Sequence, residues 1–187
     1  LGMSIDRDKL GAQVMAELQQ FEAGLAVTPF EVLLERPPIS DARLAKCVEI
    51  MGTLVPTAYL TDMNLVLWLN TKAANLLLQH GTAPGIGYMV ACVHFSYLAL
   101  RGNYQSGHDV AQFGIALARR MGDRAGSGGA THYYAMMCIH WNRPLRDSLP
   151  IAQDSLEALI EVGDMEKAGY LYFVIVTTHF ELGEALG

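Results

Sequence analysis

The sequence predicts an all-α fold, a right-handed α-solenoid of antiparallel helix pairs in units of about 40 residues, and three observations carry that prediction. Apolar residues recur at helical spacing: Leu145, Leu149, Ala152, Leu156 and Leu159 step alternately by four and three, which lines one face of a helix. Few segments alternate as a strand would. Turn signals also repeat. Met121-Gly122-Asp123 returns 41 residues later as Val162-Gly163-Asp164, and the turn at Gly102 returns at Arg143 and, 40 further on, at Gly183. A two-helix unit cannot cover its own apolar faces, so units must stack to bury them.

Two regions follow in order. Residues 1–36 form an N-terminal helix (6–24) and a proline-punctuated connector, "AVTPFEVLLERPPISD", which carries one short helix. Residues 37–187 form the helical-repeat domain, with helices expected over 41–54, 62–80, 86–101, 104–121, 127–141, 144–162 and 165–182. Ser40 or Asp41 suits the N-cap of the first of these. Pro144 stands where a helix begins, because its missing N–H would be unsatisfied there anyway. The turn "LRGNY" has a tetratricopeptide style, with Gly followed two residues later by an aromatic. In that pattern small residues let the paired helix come close, and Gly107 and Gly114 recur 41 residues on as Ser148 and Ser155. Glycine inside a helix costs about 1 kcal/mol relative to alanine, so two in one helix argue for close backbone approach. "GDRAGSGG" should fray or hinge the start of the helix after it. The opening "LGMS" places two residues before the first Met, and "FELGEALG" stops just after a turn signal; both are expected of a fragment cut from a larger protein within a repeat.

Composition excludes several functions. With net charge −6 and scattered Lys and Arg, the chain lacks the electrostatic footprint of nucleic-acid or anionic-membrane binding. Its apolar runs are interrupted by His, Ser and Tyr and read as buried helices, so no membrane span is expected. Cys47, Cys92 and Cys138 share no metal spacing, and an odd number without a secretory signal predicts reduced thiols in the cytoplasm. His132 and His140 lie eight apart on one predicted helix, but a zinc site needs three or four ligands. The glycine runs lack the Gly-Lys-Ser/Thr ending of a phosphate cradle. No cofactor, metal or catalytic residue is expected, and the chain reads as a non-enzyme.

"YLALRGNYQSGHDVAQFGIALARRM", "HWNRPLRDSLPIAQDSLEALIEVGDMEKAGYLY" and "PPISDARLAKCVEIMGTLVPTAYLTDMNLVLWLNTKAANLLLQHGTAPGIGYMV" together carry a resemblance. From about residue 17 to the end, the chain resembles the helical, tetratricopeptide-like repeat segment of large bacterial multidomain signalling proteins. In those it lies between an AAA-type ATPase module, often preceded by a kinase-like domain, and GAF or PAS sensors with a histidine kinase or GGDEF output. The resemblance implies a non-catalytic relay or interaction module whose partners are other domains of the parent protein, partner proteins or peptides.

The repeat register nominates a concave binding face built from the rows Cys92/Tyr133/Phe173, Ser96/Met137/Thr177 and Ala99/His140/Phe180, with Trp141 and Tyr170 beside them. Tyr133, Met137 and His140 fall at i, i+4 and i+7 and share a face; aromatic and Met side chains give a groove large, adaptable contact area. The same rows would also suit a covered core, and the sequence leaves both readings open. Arg143 and Arg146 at the turn are candidate contacts for an acidic partner. A second function is a small-ligand sensor with a pocket of Tyr133, His140, Trp141 and Tyr170. The last helix, with Phe173, Val174, Val176 and Phe180, has no polar outer surface to cap the stack, which makes that end a candidate for homodimerisation.

Overall fold

The computed structural model describes residues 5–184, all-helical apart from turns and a single isolated bridge between Pro38 and Thr82. The "LGMS" opening and the last three residues lie outside the described residues. Ten α-helices follow in order: α1 Leu10–Val27, α2 Phe30–Leu33, α3 Ala42–Thr61, α4 Met63–His80, α5 Ile86–Ala91, α6 His94–Arg101, α7 Tyr104–Arg120, α8 Arg124–Met137, α9 Ser148–Glu161 and α10 Met165–Glu181. Among the described residues no helix is long and apolar enough to cross a membrane.

Five of these helices start on side-chain caps. Asp41 accepts from the Arg43 and Leu44 amides, and Asp62, Asn103, Asp123 and Asp164 cap α4, α7, α8 and α10 in the same way, each satisfying an amide that the first turn leaves without a partner. Helix ends turn on glycines in the left-handed region: Gly102, Gly122, Gly163 and Gly183 have φ of 58, 69, 77 and 69°.

α4 is the centre of the N-terminal half. From Val66 to Leu77 it is buried almost all round, with α1 and α3 packed on it. Two of its polar residues tie it to α1: Asn75 donates to the Glu17 carbonyl (2.8 Å) and carboxylate (2.7 Å), and Lys72 meets the same carboxylate at 2.8 Å. From α5 onward helices pack on their successors, α7 on α5, then α8 on α7, α9 on α8 and α10 on α9. The core runs without a break from Leu10 to Ile139, and a smaller cluster from Ala135 to Val174 continues it.

Four expectations are corrected. The helix predicted to stop at 54 runs on to Thr61 through Pro56; apolar burial of Val55 and Ala58 holds the turn together although Pro56 has no N–H to donate. The helix predicted over 86–101 breaks at Cys92-Val93, where Phe95 and Ser96 bond back by only three residues and the His94 Nδ1–H donates to the Ala91 carbonyl (2.9 Å). The helix predicted over 127–141 ends at Met137 and gives way to a 3₁₀ turn, Ile139–Trp141. The glycine run does not fray. α8 begins at Arg124; the Gly126 amide donates to the Asp123 carboxylate at 2.8 Å, and a Cβ there would sit 2.2 Å from that carboxylate, so glycine fits the cap.

Close approach of the helices repeats with the turns. A Cβ on Gly114 would fall 2.3 Å from the Ala91 nitrogen and 2.6 Å from the Gly87 carbonyl oxygen, and one on Gly87 2.7 Å from the Ala118 nitrogen. The residues 41 further on, Gly128, Ser155 and Leu159, meet in the same arrangement. The Ser155 hydroxyl donates to the Gly128 carbonyl at 2.8 Å, and a Cβ on Gly128 would lie 2.9 Å from Leu159.

Candidate functional site

The turn "HWNRPLRDSL" between α8 and α9 differs from the glycine turns. Two short 3₁₀ segments, Ile139–Trp141 and Leu145–Asp147, flank Pro144. Trp141 is half-exposed and stacks on Tyr104 at the start of α7 (4.9 Å between centroids, 24° between planes), while the Asn142 amide donates to the Tyr104 carbonyl at 3.1 Å. This turn is a clasp onto the α6–α7 turn. Arg143 and Arg146 are exposed beside it, and His140 is exposed against Trp141 (5.1 Å).

The groove lies elsewhere on α8. A cavity of about 930 Å³ opens between the C-terminal end of α3, α8 and α10. α3 contributes Pro56, Tyr59 and Leu60; α8 contributes His132, Tyr133, Met136 and Met137; α10 contributes Glu166, Gly169, Tyr170 and Phe173. Tyr133 is the hub of an aromatic cluster, with Phe95 meeting its ring edge-on at 5.7 Å, Tyr88 at 6.0 Å and Tyr59 at 6.5 Å. Such offset and edge-on rings are favourable through their quadrupoles. Burial pushes the Tyr133 hydroxyl up to about 12 and the Tyr88 hydroxyl higher, so both remain protonated. His132 lies 4.7 Å from Tyr133 and stacks on Tyr170 at 5.8 Å and 21°. Burial, with Lys167 adding to it, lowers His132 to about 4, so its imidazole is neutral at physiological pH. Burial tends to raise Asp164, but hydrogen bonds from the Lys167 ammonium (2.5 Å) and amide (3.2 Å) hold it below its ordinary value.

Of the residues nominated from the sequence, Tyr133, Met137, Tyr170 and Phe173 do converge on this groove. Cys92 and Ser96 do not: both are fully buried in the core behind the α5–α6 break, and burial pushes the Cys92 thiol up. His140 and Trp141 belong to the clasp, and Thr177 lies on α10 with its hydroxyl donating to the Phe173 carbonyl at 2.8 Å. The nominated pocket of Tyr133, His140, Trp141 and Tyr170 is therefore split between two places. His132 and His140 do not converge either, and among the described residues no group of three His, Cys, Asp or Glu side chains could hold a metal.

Sequence reasoning missed His132, Met136 and Glu166, which spacing from Tyr133 and Tyr170 along their own helices could have found. It also missed Tyr59 and Leu60, for which no signal existed, because α3 stands outside the 41-residue register. The register itself was one residue off on α10. Counting from Asp123 and Asp164, the partner of Tyr133 is Val174, which is buried, and Phe173 matches His132.

That correction exposes a second surface. The row Gly128, His132 and Ala135 on α8, continued by Ile139 in the 3₁₀ turn after it, is buried, with Leu159 of α9 beside Gly128 and Tyr170 of α10 stacked on His132. The matching row on α10 is Gly169, Phe173, Val176 and Phe180, and it is open: Phe173, Val176 and Phe180 are 64, 50 and 70 % exposed, and nothing stands within 4 Å of a Cβ on Gly169.

Comparison with known proteins gives one similarity. Over 145 residues, 73 % of the chain, the sequence is 24 % identical to part of the hybrid signal transduction histidine kinase G of Dictyostelium discoideum. The chain spans only 4 % of that protein's length. No family model matches the chain, and no solved structure does.

Proposed function

We propose that this chain is a non-catalytic interaction and relay segment of a larger cytoplasmic signal-transduction protein. In this reading it is an α-solenoid of tetratricopeptide-like units that couples an N-terminal ATPase or kinase-like region to C-terminal sensor and output domains. The similarity to a segment of a much longer histidine kinase supports the signalling context. The observation that carries the interaction reading is the open row on α10. Gly169, Phe173, Val176 and Phe180 repeat, 41 residues on, a row of α8 and the turn after it that is buried. A helix face with that register and exposure is built to be packed upon, and a contiguous exposed apolar strip of this kind marks interaction sites. The thiols fit a structural role, since burial holds Cys138 up at about 12 and Cys92 higher, where neither is a thiolate nucleophile.

The test is binding of the chain to the segments that flank it in its parent protein. Val176→Glu and Phe180→Glu should weaken that binding by about tenfold or more, by placing a charge in a desolvated contact, and leave the fold intact because both side chains face solvent. Wild-type binding no tighter than to an unrelated helical protein would overturn the proposal. Self-association through the same row is the homodimer expected from the sequence, and sedimentation of the same two variants reads it.

A further inference from the structure

Helix packing leaves one group in the groove unused. His132 is 1 % exposed and lines the groove, yet neither ring nitrogen has a hydrogen-bond partner. A neutral imidazole presents one donor and one acceptor, and a buried polar atom left unpaired costs free energy. Beside it stand the faces of Tyr133 (4.7 Å) and Tyr170 (5.8 Å), with Tyr59 6.5 Å beyond Tyr133. Among the described residues Glu166 is the one charged residue lining the groove, and it forms no ion pair. Among the same residues no Lys or Arg lines it, and the adjacent Lys167 is occupied by Asp164.

These features select a chemistry. Electron-rich ring faces attract cations, an unpaired carboxylate does the same, and an unprotonated ring nitrogen accepts an N–H. An anion would meet Glu166 and the negative faces of the rings. A neutral hydrocarbon would fill the groove but leave His132 and Glu166 unpaired.

We propose that the groove between α3, α8 and α10 binds a small organic ammonium compound, a primary or secondary amine on an apolar body. Its N–H donates to His132, its charge lies against Tyr133, Tyr170 and Glu166, and its apolar body packs on Met136 and Leu60. The cavity of about 930 Å³ is within the size range of small-molecule sites. The groove shares Gly169 and Phe173 with the α10 row, but helix docking is read through Val176 and Phe180, which do not line the groove, so either proposal can fail without the other.

The experiment titrates the chain with 2-phenylethylammonium, with 2-phenylethanol as uncharged counterpart and phenylacetate as anion, at fixed ionic strength, following the His132 and tyrosine ring signals by NMR. The amine should give saturable shifts at His132, with the alcohol and the carboxylate about tenfold weaker or worse. Glu166→Gln and Tyr170→Ala, both at exposed positions, should each weaken the amine about fivefold while leaving the fold's spectrum unchanged. His132→Gln should do the same if it folds; if it does not, the two exposed variants decide. Equal affinity for amine and alcohol, an affinity unmoved by Glu166→Gln, or shifts that never saturate would each overturn the proposal.

Discussion

At the scale of single residues, glycines with the same helical conformation have opposite roles. Gly114 is required: a Cβ there would press on the backbone of Ala91 and Gly87, atoms that cannot swing aside. Gly114→Ala should therefore cost about 1–3 kcal/mol in denaturant unfolding, the strain of overpacking outweighing the helix propensity alanine adds. Gly11 in α1 and Gly169 in α10 have nothing within 4 Å, so alanine at either should stabilise the isolated chain by about 0.5–1 kcal/mol. A loss of stability at Gly11 or a gain at Gly114 would contradict this account. The buried histidines set a pH response. His94 and His132 are both lowered to about 4, chiefly by burial, against an ordinary value of 6.5. The unfolded chain then binds more protons between those values, so stability is full above pH 6.5 and falls as pH drops towards 4, by as much as ~3 kcal/mol per histidine. Urea midpoints at pH 7.5 and 5 check the sign: the midpoint should be lower at pH 5, and Asp164, whose ordinary value is lowered in the fold, adds in the same direction at still lower pH.

At the scale of elements, the aspartate caps join neighbours as well as starting helices. Asp123 accepts from the Gly126 amide at 2.8 Å to cap α8, and its other oxygen accepts from the Gly85 amide at 3.1 Å just before α5. Asp123→Ala should cost about 1–2 kcal/mol, the upper end of a cap deletion, because two amides lose their acceptor; Asp123→Asn should recover only the cap's share, since its carbonyl oxygen can accept from Gly126 while its NH2 cannot accept from Gly85. Thermal unfolding of both variants reads the difference. The clasp of Trp141 on Tyr104 has a similar office for α7 and α8, and it answers why the α8–α9 turn carries a Trp-Asn pair ahead of its proline.

At the scale of the molecule, burial is uneven along the chain. α4 is wrapped by α1, α3, α5 and α6, whereas α10 rests on α8 and α9 over a small core cluster and leaves a large apolar face open. Amide hydrogen exchange should accordingly be slowest in α4 and fastest, among the long helices, in α10, since local opening costs least where fewest apolar contacts are lost. Occupation of the α10 row by a partner should slow α10 towards the rest, by mass action on the folded state. Exchange in α10 as slow as in α4 in the unbound chain would mean that the open face does not weaken α10.

What the sequence determined by itself is local or repeated. Helical periodicity gave most of the helices, the recurring Gly-Asp signal gave the turns at Gly122 and Gly163, and Gly114 with Ser155 gave the close crossings, because each depends on residues near one another or at a fixed offset. Tertiary structure alone decided the rest. It brought Tyr59 from α3 against Tyr133, sent Cys92 and Ser96 into the core by breaking α5 from α6, and left His132 buried without a partner. No spacing rule encodes those outcomes, since they depend on which helix covers which face, and that is fixed only when apolar surfaces far apart in the chain compete for burial.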